Sequence, residues 1–463
     1  MPETETSTAP AKTVTAARIP ARYLVLTLIF VITAVNYADR SSLSLTGGSI
    51  QAELGFSTVQ LGYIFSAFSW AYGVTQLPGG MLLDRFGARR MYALSLGLWT
   101  VVTAAISLVG LITTPVVIAV AIVFALRLPL GVFESPAFPA NARVAATCFP
   151  TAERGRATAV FNSAQYFATA LFAPIMGWIT HEWGWRWVFV LLGALGLVLT
   201  VVWLRWTDVP RRHRRVSEDE LAKLTSGGAL VDPDAPKKRD AAARVRQRAP
   251  LDSRTVRKIF ATRALWGVYV SQYAVNALTY FFITWFPVYL VKGRGLSLLE
   301  VGFVAALPAS CGFAGGLAGG FVSDGMLRRG RSLTAARKIP SVLGMTLATS
   351  IALRSFTDLS ALIIAIMTLA FSGKGLGSLG WAITTDIAPP QATSFVGSTM
   401  NGFGDIAGIV TPIVIGYTVQ ATGSFDIALW FVAAHGVLAL PAFAVLGRSR
   451  RIEFDLPETE KTP

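Results

Sequence analysis

Long apolar runs alternate with short polar joints along almost the whole chain. Twelve runs fall near residues 22–45, 58–82, 90–112, 115–142, 156–180, 185–206, 264–291, 299–324, 337–355, 358–386, 394–421 and 424–447. A run of about 20 apolar residues is long enough to cross a bilayer as a helix. The joint between the sixth and seventh runs differs from the others. Thr207 to Thr262 is long, hydrophilic and basic, with RRHRR, PKKRD and RVRQR in it. The pattern predicts an all-α membrane protein of twelve transmembrane helices in two six-helix bundles. Its expected divisions are a tail at 1–21, a bundle at 22–206, a basic linker at 207–262, a second bundle at 263–447 and a tail at 448–463.

Composition supports that pattern. Of the 463 residues, 53% are hydrophobic and 14% charged, too few charges for a soluble chain of this length. The net charge of +15 does not indicate nucleic acid, because the basic residues lie between the apolar runs and not in one patch. Arg85, Arg89 and Arg90, then Arg154 and Arg156, the linker, and Arg328 to Lys338 fall on alternate joints. Cytoplasmic loops carry such an excess, so both termini are expected in the cytoplasm of a multi-pass inner-membrane protein. The opening MPETETSTAPAKT lacks the basic region of a cleaved leader, so the first run is expected to be its own insertion signal. Cys148 and Cys311 make no disulfide framework, and His181, His213 and His435 have no ligand spacing. No metal or cofactor is expected.

The chemistry is carried by charges inside the runs. Asp39 and Arg40 lie in the first, Arg127 and Glu134 in the fourth. Each costs roughly 2.5–3.5 kcal/mol on insertion scales unless paired or wetted. At ~1.5 Å per residue, Arg40 lies ~27 Å and Arg127 ~22 Å from the cytoplasmic ends of their helices, so both can reach one cavity. A guanidinium offers a carboxylate a planar, permanently charged fork. The plainer reading is that both arginines only pair with Asp39 and Glu134. Burial and a neighbouring arginine act oppositely on a carboxylate's proton affinity, so Asp39 and Glu134 are candidate proton carriers. Lys374 and Asp405, at ~18 Å and ~16 Å depth, could form a second ion pair.

A repeat relates the two halves. GGMLLDRFGARR follows the second run and GGFVSDGMLRRG the eighth, so Gly80 and Asp84 correspond to Gly320 and Asp324. Gly80 would let helices pack closely, and Asp84 could hold an arginine or a helix N-terminus across the halves in one conformation. The glycines of GFAGGLAGG read as helix packing, since no Lys-Ser/Thr follows them as in a phosphate loop. Without an ATPase motif, gradient-driven transport is the expectation.

These motifs resemble the major facilitator superfamily. VNYADRSSLS, FALRLPLGVFESPAFPANAR and ERGRATAVFNSAQYFATALFAPIMGWI narrow the likeness to its anion:cation symporter branch, as do FPVYLVKGRGLSLLEVGF, GKGLGSLGWAITTD and AGIVTPIVIGYTVQATGSF. The chain is most similar to the bacterial glucarate/galactarate transporters, then to the galactonate transporters. The resemblance implies that Asp39 and Glu134 are protonation sites and that Arg40 and Arg127 bind the substrate carboxylate. It implies that Tyr37, Tyr72, Gln165, Gln272, Ser378, Trp381 and Asn401 line the cavity, and that Gly80, Asp84, Arg85 and Asp324 belong to gating loops. Asp405 departs from the branch, which usually has Asn there. The expected function is proton-coupled import of a sugar acid by a monomer in the lipid bilayer, not an enzymatic reaction. A carrier of other organic anions, such as aromatic carboxylates, and a membrane sensor that does not transport are the alternatives.

Overall fold

The computed structural model describes residues 20–111, 115–231, 253–388 and 392–445, which form twelve helical rods and, among those residues, no strand. The first half holds α1 (Ala21–Leu54), α2 (Thr58–Phe86), α3 (Ala88–Ile106), α4 (Val116–Glu134, resuming as Ala137–Cys148), α5 (Thr151–Trp183) and α6 (Arg186–Trp206). The second holds α7 (Arg263–Tyr280, a π-helical turn Phe281–Trp285, then Phe286–Arg294), α8 (Leu298–Arg328) and α9 (Leu333–Ala348 with a 3-10 extension Thr349–Phe356). It ends with α10 (Ser360–Gly377, then Gly380–Ile387), α11 (Thr393–Thr422) and α12 (Asp426–Val445).

Nine rods among the described residues are long and apolar enough to cross a membrane; α2, α3 and α5 fall short by composition. For α2 and α5 the reason is structural. Each packs against the other half, α2 on α11 and α5 on α8, so much of its surface never meets lipid. Polar residues are tolerated where a helix faces protein.

α1 is longer than its apolar run. It continues through SSLSLTGGSI to Leu54 because the buried hydroxyls of Ser41, Ser42, Ser44 and Thr46 donate to carbonyls three or four residues back. Hydroxyls satisfied within their own helix need no water.

The helix pairs repeat with an offset of six. α1 packs on α5 as α7 packs on α11; α2 on α4 as α8 on α10; α3 on α6 as α9 on α12. The related helices α2 and α8 even start alike, with capping boxes at Ser57/Gln60 and Ser297/Glu300. In each, the serine oxygen accepts an exposed amide and the long side chain returns the bond.

The halves touch at the face away from the linker. There a Cβ on Gly62 would come within 2.6 Å of the Pro412 carbonyl, and one on Gly177 within 2.6 Å of the Leu298 carbonyl. The Tyr63 and Tyr417 hydroxyls are 3.3 Å apart, and Lys292 donates to Gln51 at 2.6 Å. Along the same stripe of α2, Gly73 still touches Asp405, but a Cβ on Gly80 would meet nothing within 4 Å among the described residues. Along α8, Gly302 touches Ala173 and Pro174, whereas Gly320 is likewise open. The interface therefore closes at one face and opens toward the linker face. The linker's start is fastened below the first half. Its helix Glu218–Ser226 presents Glu220, which accepts from the Ala21 and Arg22 amides at 3.2 and 3.4 Å, at the positive start of α1.

Candidate functional site

Asp39 and Arg40 are adjacent in sequence, but successive helical side chains diverge by about 100° and do not face each other. Asp39 turns to α3, where Thr103 Oγ1 donates to its Oδ2 at 2.9 Å. Arg40 turns to α4, where its Nε donates to Glu134 Oε2 at 2.8 Å. Arg127, on α4, lies within Coulombic range of both Asp39 and Glu134. The four charges form one cluster in the first half, and Glu134 is wholly buried. The cluster is not self-sufficient. Asp39 Oδ1, Glu134 Oε1, Arg40 Nη2 and Arg127 Nε and Nη1 are buried without a hydrogen-bond partner among the described residues. Such atoms carry a desolvation penalty of about 1–3 kcal/mol each, more when charged.

Rings hold the arginines in place. Arg40 Cζ lies 5.1 Å from the Tyr37 ring centroid, 4.6 Å from Phe68 and 4.7 Å from Tyr72. Arg127 Cζ lies 5.4 Å from Phe68. Phe68 and Tyr72 are stacked at 5.2 Å and share one face of α2. Cation–π contacts of this kind fix a guanidinium without using its N–H donors.

Tyr37 connects this cluster to a cavity of about 640 Å³, part of it open to solvent. Polar groups on its wall include Ser41, Ser44, Gln165, Thr169 and Lys374; Phe282, Phe286 and Phe371 form an apolar side. A mostly apolar lining with a few polar groups is the kind that suits a small organic ligand. α5 supplies Gln165 and Tyr166, and α10 supplies Lys374. The glycines of α8 set the position of α10: a Cβ on Gly315 would come within 2.2 Å of the Ser372 carbonyl, and one on Gly319 within 2.5 Å of that of Leu376.

The other expected cavity residues are distributed differently. Gln272 Nε2 donates to Asn276 at 3.0 Å, and Ser378 Oγ donates to the Lys374 carbonyl at 2.7 Å. Asn401 Nδ2 bridges the halves to Gln76 Oε1 at 2.8 Å. Trp381 is 56% exposed, packs over Gly397 and does not line the cavity.

Two expected contacts are absent from this structure. Lys374 and Asp405 do not pair. The Asp405 carboxylate turns to Tyr280 Oη at 3.4 Å and Asn401 at 3.5 Å, on the α2–α11 seam, while Lys374 points into the cavity. Equal depth on neighbouring helices says nothing about which way each side chain faces. Gly80 makes no close helix contact, because the halves have separated at that level. Asp324, the repeat counterpart of Asp84, lies 3.8 Å from Arg337 of its own half, which also bonds Asp386 at 2.7 Å and Ser323 at 2.8 Å. The Asp84 side chain lies outside the described residues. Arg85 is exposed, with its guanidinium 5.5 Å from the Phe86 ring. Sequence reading missed Phe68, Gln76, Thr103, Tyr166 and Tyr280. A hydroxyl, amide or ring inside a membrane helix is unremarkable until packing gives it a partner.

A pseudo-symmetric pair of six-helix bundles, with buried charges beside a cavity at their interface, is the architecture of a secondary transporter. The family model of the Major Facilitator Superfamily matches residues 29–337, and the chain belongs to that family of membrane transporters. It is 48% identical over 425 residues to a probable galactarate/D-glucarate transporter of Bacillus subtilis (strain 168), covering 92% of this chain and 91% of that one. It is 47% identical to another of Escherichia coli (strain K12), covering 93% and 96%. A D-galactonate transporter of Escherichia coli O6:H1 is 36% identical, covering 93% and 97%. Among solved structures, a D-xylose-proton symporter shares the fold with a TM-score of 0.69 at 14% identity, covering 92% of this chain and 98% of that one.

Proposed function

We propose that this protein is a proton-coupled symporter that imports a sugar acid, such as glucarate, galactarate or galactonate, by alternating access. One observation carries the reading. A buried and a part-buried arginine share a cluster with two buried carboxylates beside a largely apolar cavity that carries hydroxyl, amide and ammonium groups, and all four retain unpartnered polar atoms. The substrates named for the relatives are sugar acids, which agrees with that chemistry.

The steps follow from the bonds. Arg40 is held by Glu134 through Nε and keeps Nη2 unused. A substrate carboxylate taking the guanidinium fork displaces Glu134 from it, and Glu134 then takes a proton. Loss of that proton restores the Arg40–Glu134 pair and expels the substrate. Asp39, between Thr103 and Arg127, is the second protonation site in this scheme. The closed face is the extracytoplasmic one and the open face the cytoplasmic one, with both termini on the cytoplasmic side of the inner membrane. The moving bodies are residues 22–206 and 263–447, and a monomer suffices. The loops bearing Gly80, Asp84, Arg85 and Asp324 close the cytoplasmic face in the opposite state.

The phenyl wall of Phe282, Phe286 and Phe371 favours a second reading, a carrier of aromatic carboxylates. A thermal-shift screen of purified protein separates the two. Glucarate, galactarate and galactonate should raise the melting temperature and aromatic acids should not; the reverse result would select the second reading.

A further inference from the structure

Lys374 is 8% exposed, yet its side chain lines the cavity. Its ammonium lies 5.0 Å from the Phe371 ring centroid and has no acidic partner within 4 Å among the described residues. Asp405, the acid expected to neutralise it, is committed to Tyr280 and Asn401. The backbone around Lys374 cannot yield: a Cβ on Gly373 would fall 2.6 Å from the Gly344 carbonyl, and one on Gly375 2.2 Å from that of Gly312. A buried ammonium without a counter-ion is costly, and a site that retains one gains from an anionic ligand.

Tyr37 also lines the cavity, and its ring centroid lies 5.1 Å from the Arg40 guanidinium carbon. A ligand in the cavity therefore has two cations within its surroundings, a point-charge ammonium from α10 on the wall and, behind the lining residue Tyr37, a planar guanidinium from α1. Ser41, Ser44, Gln165 and Thr169 share the cavity wall with Lys374. We infer that Lys374 is the anchor for a second carboxylate, and that the site prefers six-carbon sugar diacids to sugar monoacids. A monoacid offers the ammonium only a neutral hydroxymethyl end. The inference rests on the sugar-acid reading.

The test is calorimetric binding of D-glucarate, galactarate and D-galactonate to the purified full-length parent, Lys374→Gln and Lys374→Arg. The parent should bind the diacids more tightly. Lys374→Gln should weaken the diacids about 10–100-fold and galactonate by less than roughly threefold, since charged hydrogen bonds are the strong ones. Lys374→Arg should keep most of the diacid affinity. Equal losses for diacid and monoacid, or no loss at all, overturn the inference while leaving the sugar-acid reading intact. A parent that binds none of the three removes both. Melting temperatures in detergent check folding, and if Lys374→Gln does not fold, Lys374→Met supplies the neutral arm.

Discussion

Replacing Glu134 by Gln tests the coupling step at its centre. The substitution keeps shape and an acceptor oxygen 2.8 Å from Arg40 Nε, but removes the ability to take up a proton. It also leaves Arg40 and Arg127 with Asp39 as the one carboxylate of their cluster. Deleting one partner of a buried ion pair costs roughly 3–5 kcal/mol; because the amide still accepts from Arg40, the loss should fall below that range. The variant should therefore fold with a lowered melting temperature. The functional effect is larger. One proton per substrate converts each pH unit into a tenfold gradient, about 1.4 kcal/mol, so two units drive up to ~100-fold accumulation. Glu134→Gln should accumulate nothing beyond equilibration. Counterflow exchange of labelled against unlabelled sugar acid, which needs no net proton movement, should survive. Proteoliposomes with an imposed pH gradient measure the first and symmetric proteoliposomes the second. Accumulation by the variant equal to that of the parent would refute the assignment of Glu134 as the coupling group.

Three further outcomes follow from other contacts. Arg40→Lys should lose most uptake although the charge is kept, because an ammonium cannot form the fork; near-normal uptake would reduce Arg40 to a counter-ion. Lys374→Ala and Asp405→Asn should change the unfolding free energy additively, to within about 0.5 kcal/mol, since the two side chains share no bond among the described residues; a double variant more stable than the sum of the singles by more than that would indicate a hidden pair. Gly62→Val should disfavour the state seen here, because its Cβ would overlap the Pro412 carbonyl at 2.6 Å. Electron-spin distance measurements across the far face should lengthen, and unchanged distances would contradict the seam described at that face.

The charged cluster was legible in the sequence because charges in apolar runs are conspicuous, and Asp39, Arg40, Arg127 and Glu134 do converge. The twelve-helix pattern was equally visible, apart from the ends. α1 runs to Leu54 because its serines satisfy themselves within the helix, which no hydropathy profile records. Rotation about the helix axis was the recurrent gap. Lys374 and Asp405 have matching depths but different facings, and Trp381 sits on the exposed side of its short helix. Thr103, Phe68 and Tyr280 gained roles only through the neighbours that packing supplies. The motif around Gly80 is one of close contact, but whether it is engaged depends on which face of the molecule is open.

The most direct measurement of the central claim is the pH of a lightly buffered suspension of proteoliposomes holding the parent protein. Addition of D-glucarate should make the external medium more alkaline as protons enter with the substrate, and Glu134→Gln should abolish that signal. Labelled glucarate entering with no proton movement would contradict proton coupling, and a failure of any sugar acid to enter would contradict the transport reading itself.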